Sequence, residues 1–213
     1  MEDTISPKYD WLSDIDDGWR EHIPFAFTLV ENIKPKIFVE LGTYKGASYF
    51  AFSNAVLEYN VDCKCYAVDT WEGDGHVGFY GPEVFDLVSK YNEKFSFSKL
   101  LKMQFDEAKE YFADNEIDIL HIDGFHTYDI VRHDFHNWLN KVKKNGIILL
   151  HDTQVKRDDF GVYKLWEELK EEYKYHYEFT NGNGLGVLFL EESQSPPQLW
   201  VKLQELNIQN TVL

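Results

Sequence analysis

Cysteines and basic residues are scarce in this sequence. Cys63 and Cys65 are its only cysteines, and a disulfide between residues so close together would be badly strained. One pair is also too few for a thiolate metal site, so we expect two reduced thiols. The chain has 21 basic residues against 37 acidic ones, a formal net charge of −16. Because this charge repels phosphate backbones, we expect no nucleic-acid partner.

Long apolar runs are missing as well. The chain has no stretch of 18 consecutive apolar residues, which argues against a membrane-spanning helix and a membrane partner. Its first residues, MEDTISPKYD, have neither the basic start nor the apolar centre of a signal peptide. We therefore expect a cytoplasmic protein. With 213 residues, of which 44% are hydrophobic, the chain is long enough for one folded domain with a substantial core.

Predicted strands and helices alternate along most of the chain. A helix from about Trp19 to Ile33 precedes five strand–helix alternations, and NGNG at 181–184 predicts a hairpin between two final strands. This order is typical of a doubly wound α/β domain whose seven-stranded sheet is mostly parallel and ends in an antiparallel hairpin. We divide the chain into a polar segment at 1–17, a single domain at 18–190 and a tail at 191–213. A surface or homo-oligomer contact is our hypothesis for the tail.

Two glycine-containing segments are predicted to be irregular. The segment TWEGDGHVGFYG, at 70–81, mixes aromatic with ionisable residues, and we expect a loop that covers a site. Asn145 and Gly146 predict a turn directly before a strand at 147–150.

The stretch VELGTYKGAS predicts a ligand-binding turn between the first strand and its helix. An apolar strand stops near Glu40, and Gly42 and Gly46 follow in a turn whose backbone amides face the carboxyl ends of the strands. A dinucleotide fingerprint requires glycine where Tyr44 stands, and a P-loop requires four residues between its glycines, where this chain has three. What remains is an acid, two glycines and a second acid, Asp69, that ends the next strand.

This spacing resembles the first two motifs of class I S-adenosylmethionine (SAM)-dependent methyltransferases. Further stretches are similar, in the same order, to those of the methyltransferase type 24 family: DTWEGDGHVGFYG, IDILHIDGFHTYDIV, GIILLHDT, FGVYKLW and GLGVLFL. The resemblance covers roughly residues 18–190. It implies a Rossmann-like methyltransferase fold and SAM as the cofactor.

The resemblance also implies where the cofactor binds. Glu40, Gly42 and Gly46 are expected to line its methionine part, and Trp71 to pack near the adenine. Asp69 is expected to bind the ribose, because a carboxylate offers paired acceptors to the two hydroxyl donors of a diol.

Ionisable residues end the fourth and fifth predicted strands. Asp123 and His126 follow one strand, and His151 and Asp152 end the other. Neighbouring parallel strands lie roughly 5 Å apart, so these side chains can converge. We predict His126, His151 and Asp152 as catalytic residues, and Asp123 as a residue that contacts the cofactor.

Two mechanisms stay open for a hydroxyl acceptor, whose proton must be removed. In one, Asp123 and Asp152, with or without one of the histidines, bind a divalent cation such as magnesium that lowers the pKa of the hydroxyl. Thr153 departs from the Asn or Asp that often follows in related metal-dependent enzymes. In the other, His126 or His151 is the base, since an imidazole with a pKa near about 6.5 accepts a proton at neutral pH.

The methyl acceptor is less well determined. The Asn/Asp-Pro-Pro-aromatic motif common in methyltransferases of nucleic bases is missing after the fourth strand. With the acidic charge, this favours an oxygen acceptor on a small molecule, and analogy with related families suggests a carbohydrate, either a sugar or a glycoside. A non-catalytic nucleoside-binding module is the main alternative. An NAD-dependent oxidoreductase is a further one, which Tyr44 disfavours.

Overall fold

The computed structural model describes residues 18–190 and 197–211. The predicted segment at 1–17 and, within the predicted tail, residues 191–196 and 212–213 lie outside these residues. The helices follow a 3₁₀ turn at Gly18–His22 and are, in chain order, α1 (Ile23–Ile33), α2 (Ala47–Glu58), α3 (Pro82–Asn92), α4 (Phe105–Ala108), α5 (Tyr128–Trp138), α6 (Val162–Glu172) and α7 (Gln198–Thr211). The strands are β1 (Ile37–Leu41), β2 (Lys64–Asp69), β3 (Gly73–Asp74), β4 (Gly78–Phe79), β5 (Ser98–Lys102), β6 (Ile117–Ile122), β7 (Val142–His151), β8 (Tyr175–Phe179) and β9 (Leu185–Phe189).

Seven of these strands form one sheet in the order β5-β2-β1-β6-β7-β9-β8. The first five strands of this order run parallel, whereas β9 is antiparallel to both β7 and β8. The predicted doubly wound α/β fold with an antiparallel final hairpin is therefore confirmed. Within the described residues, no helix is long and apolar enough to cross a membrane.

Two apolar clusters cover the two faces of the sheet, because alternate residues of a strand point to opposite sides. On β7, Ile147 and Leu149 belong to the cluster that includes α1 and α2, while Ile148 and Leu150 belong to the one that includes α5 and α6. Burial on both faces explains why the central strands are apolar almost without interruption.

Two local predictions needed correction. Asn145 and Gly146 do not form a turn before the strand, because β7 begins at Val142 and includes them. The register between β6 and β7 shifts at this point, and the carbonyl of Gly146 accepts a hydrogen bond from the amide of Leu190 at 3.0 Å. The segment at 70–81 is more ordered than a loop, since it contains the antiparallel ribbon of β3 and β4.

The turn after β1 lies against the end of β6 with little room to spare. The amide of Gly42 donates to the carbonyl of Val68 at 2.9 Å, and the amide of Asp123 donates to the carbonyl of Leu41 at 2.8 Å. Gly42 has a φ of +87°, and a Cβ placed on it would lie 2.0 Å from the carbonyl oxygen of Asp123. Only glycine satisfies both the backbone angle and the contact.

Gly42→Ala is therefore expected to destabilise the protein more than Gly78→Ala, its matched control. Gly78 has a similar φ of +83°, but nothing lies within 4 Å of the position of its Cβ. The backbone angle alone costs roughly 1–2 kcal/mol, and overpacking at Gly42 adds about 1–3 kcal/mol. Urea unfolding of both variants measures the difference, and equal losses of free energy would show that the contact at Asp123 is unimportant.

Candidate functional site

A cavity of about 650 Å³ opens at the carboxyl ends of the parallel strands. Its wall includes four of the predicted site residues, namely Gly42, Asp69, Asp123 and His126. The other predicted site residues are not on this wall: Glu40, Gly46, Trp71, His151 and Asp152.

Asp69 holds the turn after β1 in place. Its Oδ2 accepts hydrogen bonds from the amides of Thr43 and Tyr44, both at 2.8 Å, and its Oδ1 accepts one from the amide of Trp71 at 2.7 Å. The two bonds to Oδ2 use both of its lone pairs, whereas Oδ1 keeps one, so one acceptor site is left for a ligand. The role of Asp69 toward a ribose stays a prediction, and the structure adds a role in building the turn.

Trp71 packs beneath the same turn. Its side chain is 1% exposed, its ring centroid lies 4.8 Å from that of Phe85, and its indole N–H donates to the carbonyl of Tyr44 at 2.9 Å. A place beside an adenine stays a prediction, because the ring supports the turn from behind rather than lining the cavity.

Glu40 and His121 form a buried pair behind the cavity wall. The Nδ1–H of His121 donates to Oε2 of Glu40 at 2.9 Å, and its Nε2 accepts the indole N–H of Trp19 at 3.2 Å. Burial raises the pKa of Glu40 above its ordinary value. Gly46 is not on the wall either; it directly precedes α2 and has a φ of +84°. Contacts of Glu40 and Gly46 with a methionine moiety therefore stay predictions.

Asp123, His126 and Asp152 converge at the ends of β6 and β7, and we call them the acid–histidine cluster. The Nε2 of His126 lies 2.9 Å from Oδ2 of Asp152 and 3.5 Å from Oδ1 of Asp123. One possible ligand atom from each of the three residues lies within 4.8 Å of the others. Asp152 has a left-handed φ of +63°, and its buried Oδ1 has no hydrogen-bond partner among the described residues.

His151 lies beside this cluster with both ring nitrogens close to acceptors. Its Nε2 is 3.0 Å from the carbonyl of Gly182, which can only accept, so this nitrogen carries a proton. Its Nδ1 then lies 3.3 Å from Oδ1 of Asp123 and 3.6 Å from Oδ1 of Asp152. The arrangement is favourable when Nδ1 is also protonated or when a cation lies against the carboxylates.

Charges within the cluster shift the pKa values of its members in opposite directions. Burial by itself raises the pKa of Asp123, but the charge of His151 and hydrogen bonds from His126 and His151 outweigh it and hold that pKa well below its usual range. For His126 the directions are reversed: burial lowers its pKa, but hydrogen bonds to Asp123 and Asp152 outweigh burial and raise the pKa to about 10. Without a bound cation, His126 is therefore a protonated imidazole at neutral pH and carries a proton on Nε2.

His76, which the sequence did not single out, closes over the cluster from the β3–β4 ribbon. Its ring stacks between Phe125 and Phe160, with centroid distances of 4.3 and 4.4 Å. Its Nε2 donates to Asp159 at 2.7 Å, and its Nδ1 lies 3.3 Å from Nδ1 of His126. The predicted loop over a site was the only signal for this residue, since its partners lie about 50 and 80 positions away in the chain.

Comparisons with known proteins identify relatives. A family model described as a methyltransferase domain matches residues 39–153. The chain is 42% identical over 173 residues to y4gI, an uncharacterized protein of Sinorhizobium fredii, and the match covers 81% of this chain and 19% of that protein. The chain thus spans about a fifth of the length of this relative.

Solved structures share the fold at low identity. The SAH-bound methyltransferase PaMTH1 of Podospora anserina has a TM-score of 0.59 at 14% identity, with 86% of this chain and 81% of that chain covered. The O-methyltransferase TomG of Streptomyces achromogenes, involved in tomaymycin synthesis and solved with SAM, has a TM-score of 0.58 at 11% identity, with 80% of each chain covered.

The raised pKa of His126 predicts that stability falls as pH rises. The stabilisation is complete below the pKa of an unfolded histidine, about 6.5, and is lost as pH approaches the folded value of about 10. In the presence of a chelator, the wild type is expected to lose on the order of a few kcal/mol over this window. His126→Gln is expected to lose less, while His133→Gln, which changes an exposed histidine whose Nε2 lies 3.0 Å from Oδ1 of Asp106, should behave like the wild type. Unfolding curves with the same pH dependence for all three proteins would contradict the prediction.

Proposed function

The chain belongs to the methyltransferase family whose model matches residues 39–153, and on that premise we propose that it is a SAM-dependent methyltransferase acting on a hydroxyl oxygen of a small molecule. A sugar or glycoside hydroxyl is the acceptor class that we favour. The observation that carries the proposal is the acid–histidine cluster, two of whose residues, Asp123 and His126, line the same cavity that the turn after β1 helps to form.

The cavity has the size and charge that such a cofactor requires. A volume of about 650 Å³ falls within the range of small-molecule sites. SAM carries a sulfonium and an ammonium group against one carboxylate, and acidic walls complement its net positive charge. The acidic residues on the wall are Asp69, Glu72, Asp74, Asp106, Glu107, Asp123 and Asp134.

The cofactor, when bound, supplies a methyl group on a positively charged sulfur. In a direct displacement the acceptor oxygen bonds to this methyl carbon, and the sulfur leaves as the neutral thioether of SAH. The residues of this chain therefore have to hold the acceptor in line and manage its proton. An alcohol is a weak nucleophile at neutral pH, so a group that stabilises its deprotonated form is expected beside it. The acid–histidine cluster is the group of side chains beside the cavity that meets this requirement.

The donor set of the cluster fits a divalent cation. Asp123, His126 and Asp152 would hold the ion, and the buried Oδ1 of Asp152, which has no hydrogen-bond partner among the described residues, supports this assignment. When bound, a cation such as magnesium or manganese lowers the pKa of a hydroxyl whose oxygen it contacts. Thr153 is not one of these possible metal ligands, and the third ligand of the set is His126.

The same cluster limits the alternative in which a histidine is the base. His126 can accept a proton from the acceptor only after it has lost the one on Nε2, which the two carboxylates stabilise. That proton and a metal ion neutralise the same pair of carboxylates, so they compete for one position. In either case, the Nε2–H of His151 donates a hydrogen bond to the carbonyl of Gly182.

Cofactor binding is the first test. Titration calorimetry with SAH is expected to show binding to the wild type, and Asp69→Asn is expected to bind about tenfold more weakly because a carboxylate acceptor is lost. Asp62→Asn, at an exposed aspartate that pairs with Lys36, is the control and should bind like the wild type. No binding by the wild type, or unchanged binding by Asp69→Asn, would count against the proposal.

Metal binding is tested separately with manganese. Titration of Mn²⁺ into the wild type, followed by electron paramagnetic resonance, is expected to show one site, and Asp152→Asn is expected to weaken it at least about tenfold. The Asp62→Asn protein again serves as the control. If Asp152→Asn binds Mn²⁺ as the wild type does, the cation mechanism fails.

A panel of neutral sugars and glycosides, assayed by SAH release, then separates the enzyme from a non-catalytic module. For the enzyme, turnover with a panel member is expected, and Asp152→Asn is expected to abolish it while SAH binding persists. A module would bind SAH and release none from SAM with any panel member.

A further inference from the structure

His76 is a residue of the β3–β4 ribbon that the mechanism above does not use. Its backbone amide donates to Oδ1 of Asp74 at 2.7 Å, and its side chain is only 9% exposed. The residue is not on the wall of the cavity. Its two ring nitrogens instead connect the acid–histidine cluster, through His126, with Asp159.

The hydrogen bonds of His76 determine which of its nitrogens carries a proton. Its Nε2 lies 2.7 Å from Oδ1 of Asp159, and because a carboxylate can only accept, this nitrogen is the donor. Its Nδ1 lies 3.3 Å from Nδ1 of His126, and one of these two atoms must donate to the other. In the metal-free cluster His126 has an N–H on each nitrogen. The donor is therefore Nδ1 of His126, and the acceptor is Nδ1 of His76.

Neighbouring contacts favour one orientation of the His126 ring. The ring of Phe160 stacks on it, with centroids 4.8 Å apart and an angle of 6° between the planes. The carbonyl of His126 accepts a hydrogen bond from the amide of Gly161 at 2.7 Å. A 180° flip of the ring would put carbon atoms in the places of Nδ1 and Nε2, so the contacts with both His76 and Asp152 would be lost. Nε2 therefore faces the carboxylates, and Nδ1 faces the ribbon.

A cation in the cluster needs the lone pair on Nε2 of His126, and the two carboxylates work against this. Asp123 and Asp152 attract a proton to Nε2, and a protonated nitrogen cannot bind a metal. A neutral imidazole has only one proton, so an acceptor beside Nδ1 keeps that proton there and leaves the lone pair of Nε2 facing the carboxylates. The ring of His76 provides this acceptor.

We propose that His76 is a positioning residue for His126: Asp159 keeps the proton of His76 on Nε2, so its Nδ1 accepts from Nδ1 of His126 and leaves Nε2 of His126 to bind a divalent cation. This inference rests on the proposed function and deepens it, since it names the residue that prepares the third ligand. When the cation binds, the proton on Nε2 of His126 passes to solvent and the proton on Nδ1 stays. The inference also accounts for a polar ring between Phe125 and Phe160, where a phenylalanine would stack as well.

His76→Phe separates the hydrogen bond from packing, because it keeps an aromatic ring between Phe125 and Phe160 and removes both nitrogens. Titration with Mn²⁺, followed by electron paramagnetic resonance, is expected to show binding about tenfold weaker than to the wild type, as for other outer partners of metal-bound histidines. Pulsed measurements are expected to show a manganese-bound imidazole nitrogen in the wild type and to lose this signal in the variant. A residue that only packs would change neither result.

Two further variants serve as controls. His136→Phe makes the same change at an exposed histidine of α5 and should bind Mn²⁺ as the wild type does. His76→Asn places an amide oxygen near the position of Nδ1, and this acceptor should recover most of the affinity. Binding of SAH by His76→Phe as tightly as by the wild type shows that the variant is folded.

A second measurement needs neither a variant nor a metal. In wild-type protein labelled with ¹⁵N-histidine and kept in chelator, nuclear magnetic resonance is expected to show a proton on Nδ1 of His126 and a nitrogen–nitrogen coupling across its hydrogen bond to His76. An unprotonated Nδ1 on His126, or wild-type affinity and an unchanged nitrogen signal in His76→Phe, overturns the inference while leaving the proposed function intact. A wild type that binds no Mn²⁺ overturns the cation mechanism and the inference with it, whereas failure to bind SAH overturns the proposed cofactor.

Discussion

The contact between Gly42 and Asp123 is the constraint on which the site depends. The turn after β1 and the end of β6 approach so closely that no side chain fits between them, and hydrogen bonds from the amides of Gly42 and Asp123 join both to neighbouring strands. One backbone contact thus fixes the turn proposed to hold the cofactor relative to the first acid of the cluster. A displacement of either element would change the distance between cofactor and acceptor, to which direct displacement reactions are sensitive.

Electrostatics impose a second constraint on the same place. Asp123 and Asp152 are brought together at low exposure, and two such carboxylates need a positive charge between them. Because the pKa of His126 is raised to about 10, its imidazolium supplies this charge between the two acids, with His151 alongside. A divalent cation would satisfy the same requirement in exchange for that proton.

The sequence predicted well what depends on local pattern. Alternation of buried strands with amphipathic helices led to the fold, and the rule that ligands bind at the carboxyl ends of parallel strands brought Asp123, His126 and Asp152 together before any distance was known. The sequence does not reveal the further contacts that a motif residue makes. Glu40 and Trp71 occupy motif positions, yet here they pair with His121 and pack on Phe85, which only the three-dimensional contacts reveal.

Residues missed from the sequence share one property, which is that their significance comes from distant partners. His76 stacks between the rings of Phe125 and Phe160, and Asp134 stands out because its Oδ2 has no hydrogen-bond partner among the described residues. Asp134 is carried on the same β6–α5 unit as Asp123 and His126. This unit therefore places all three side chains on the wall of one cavity.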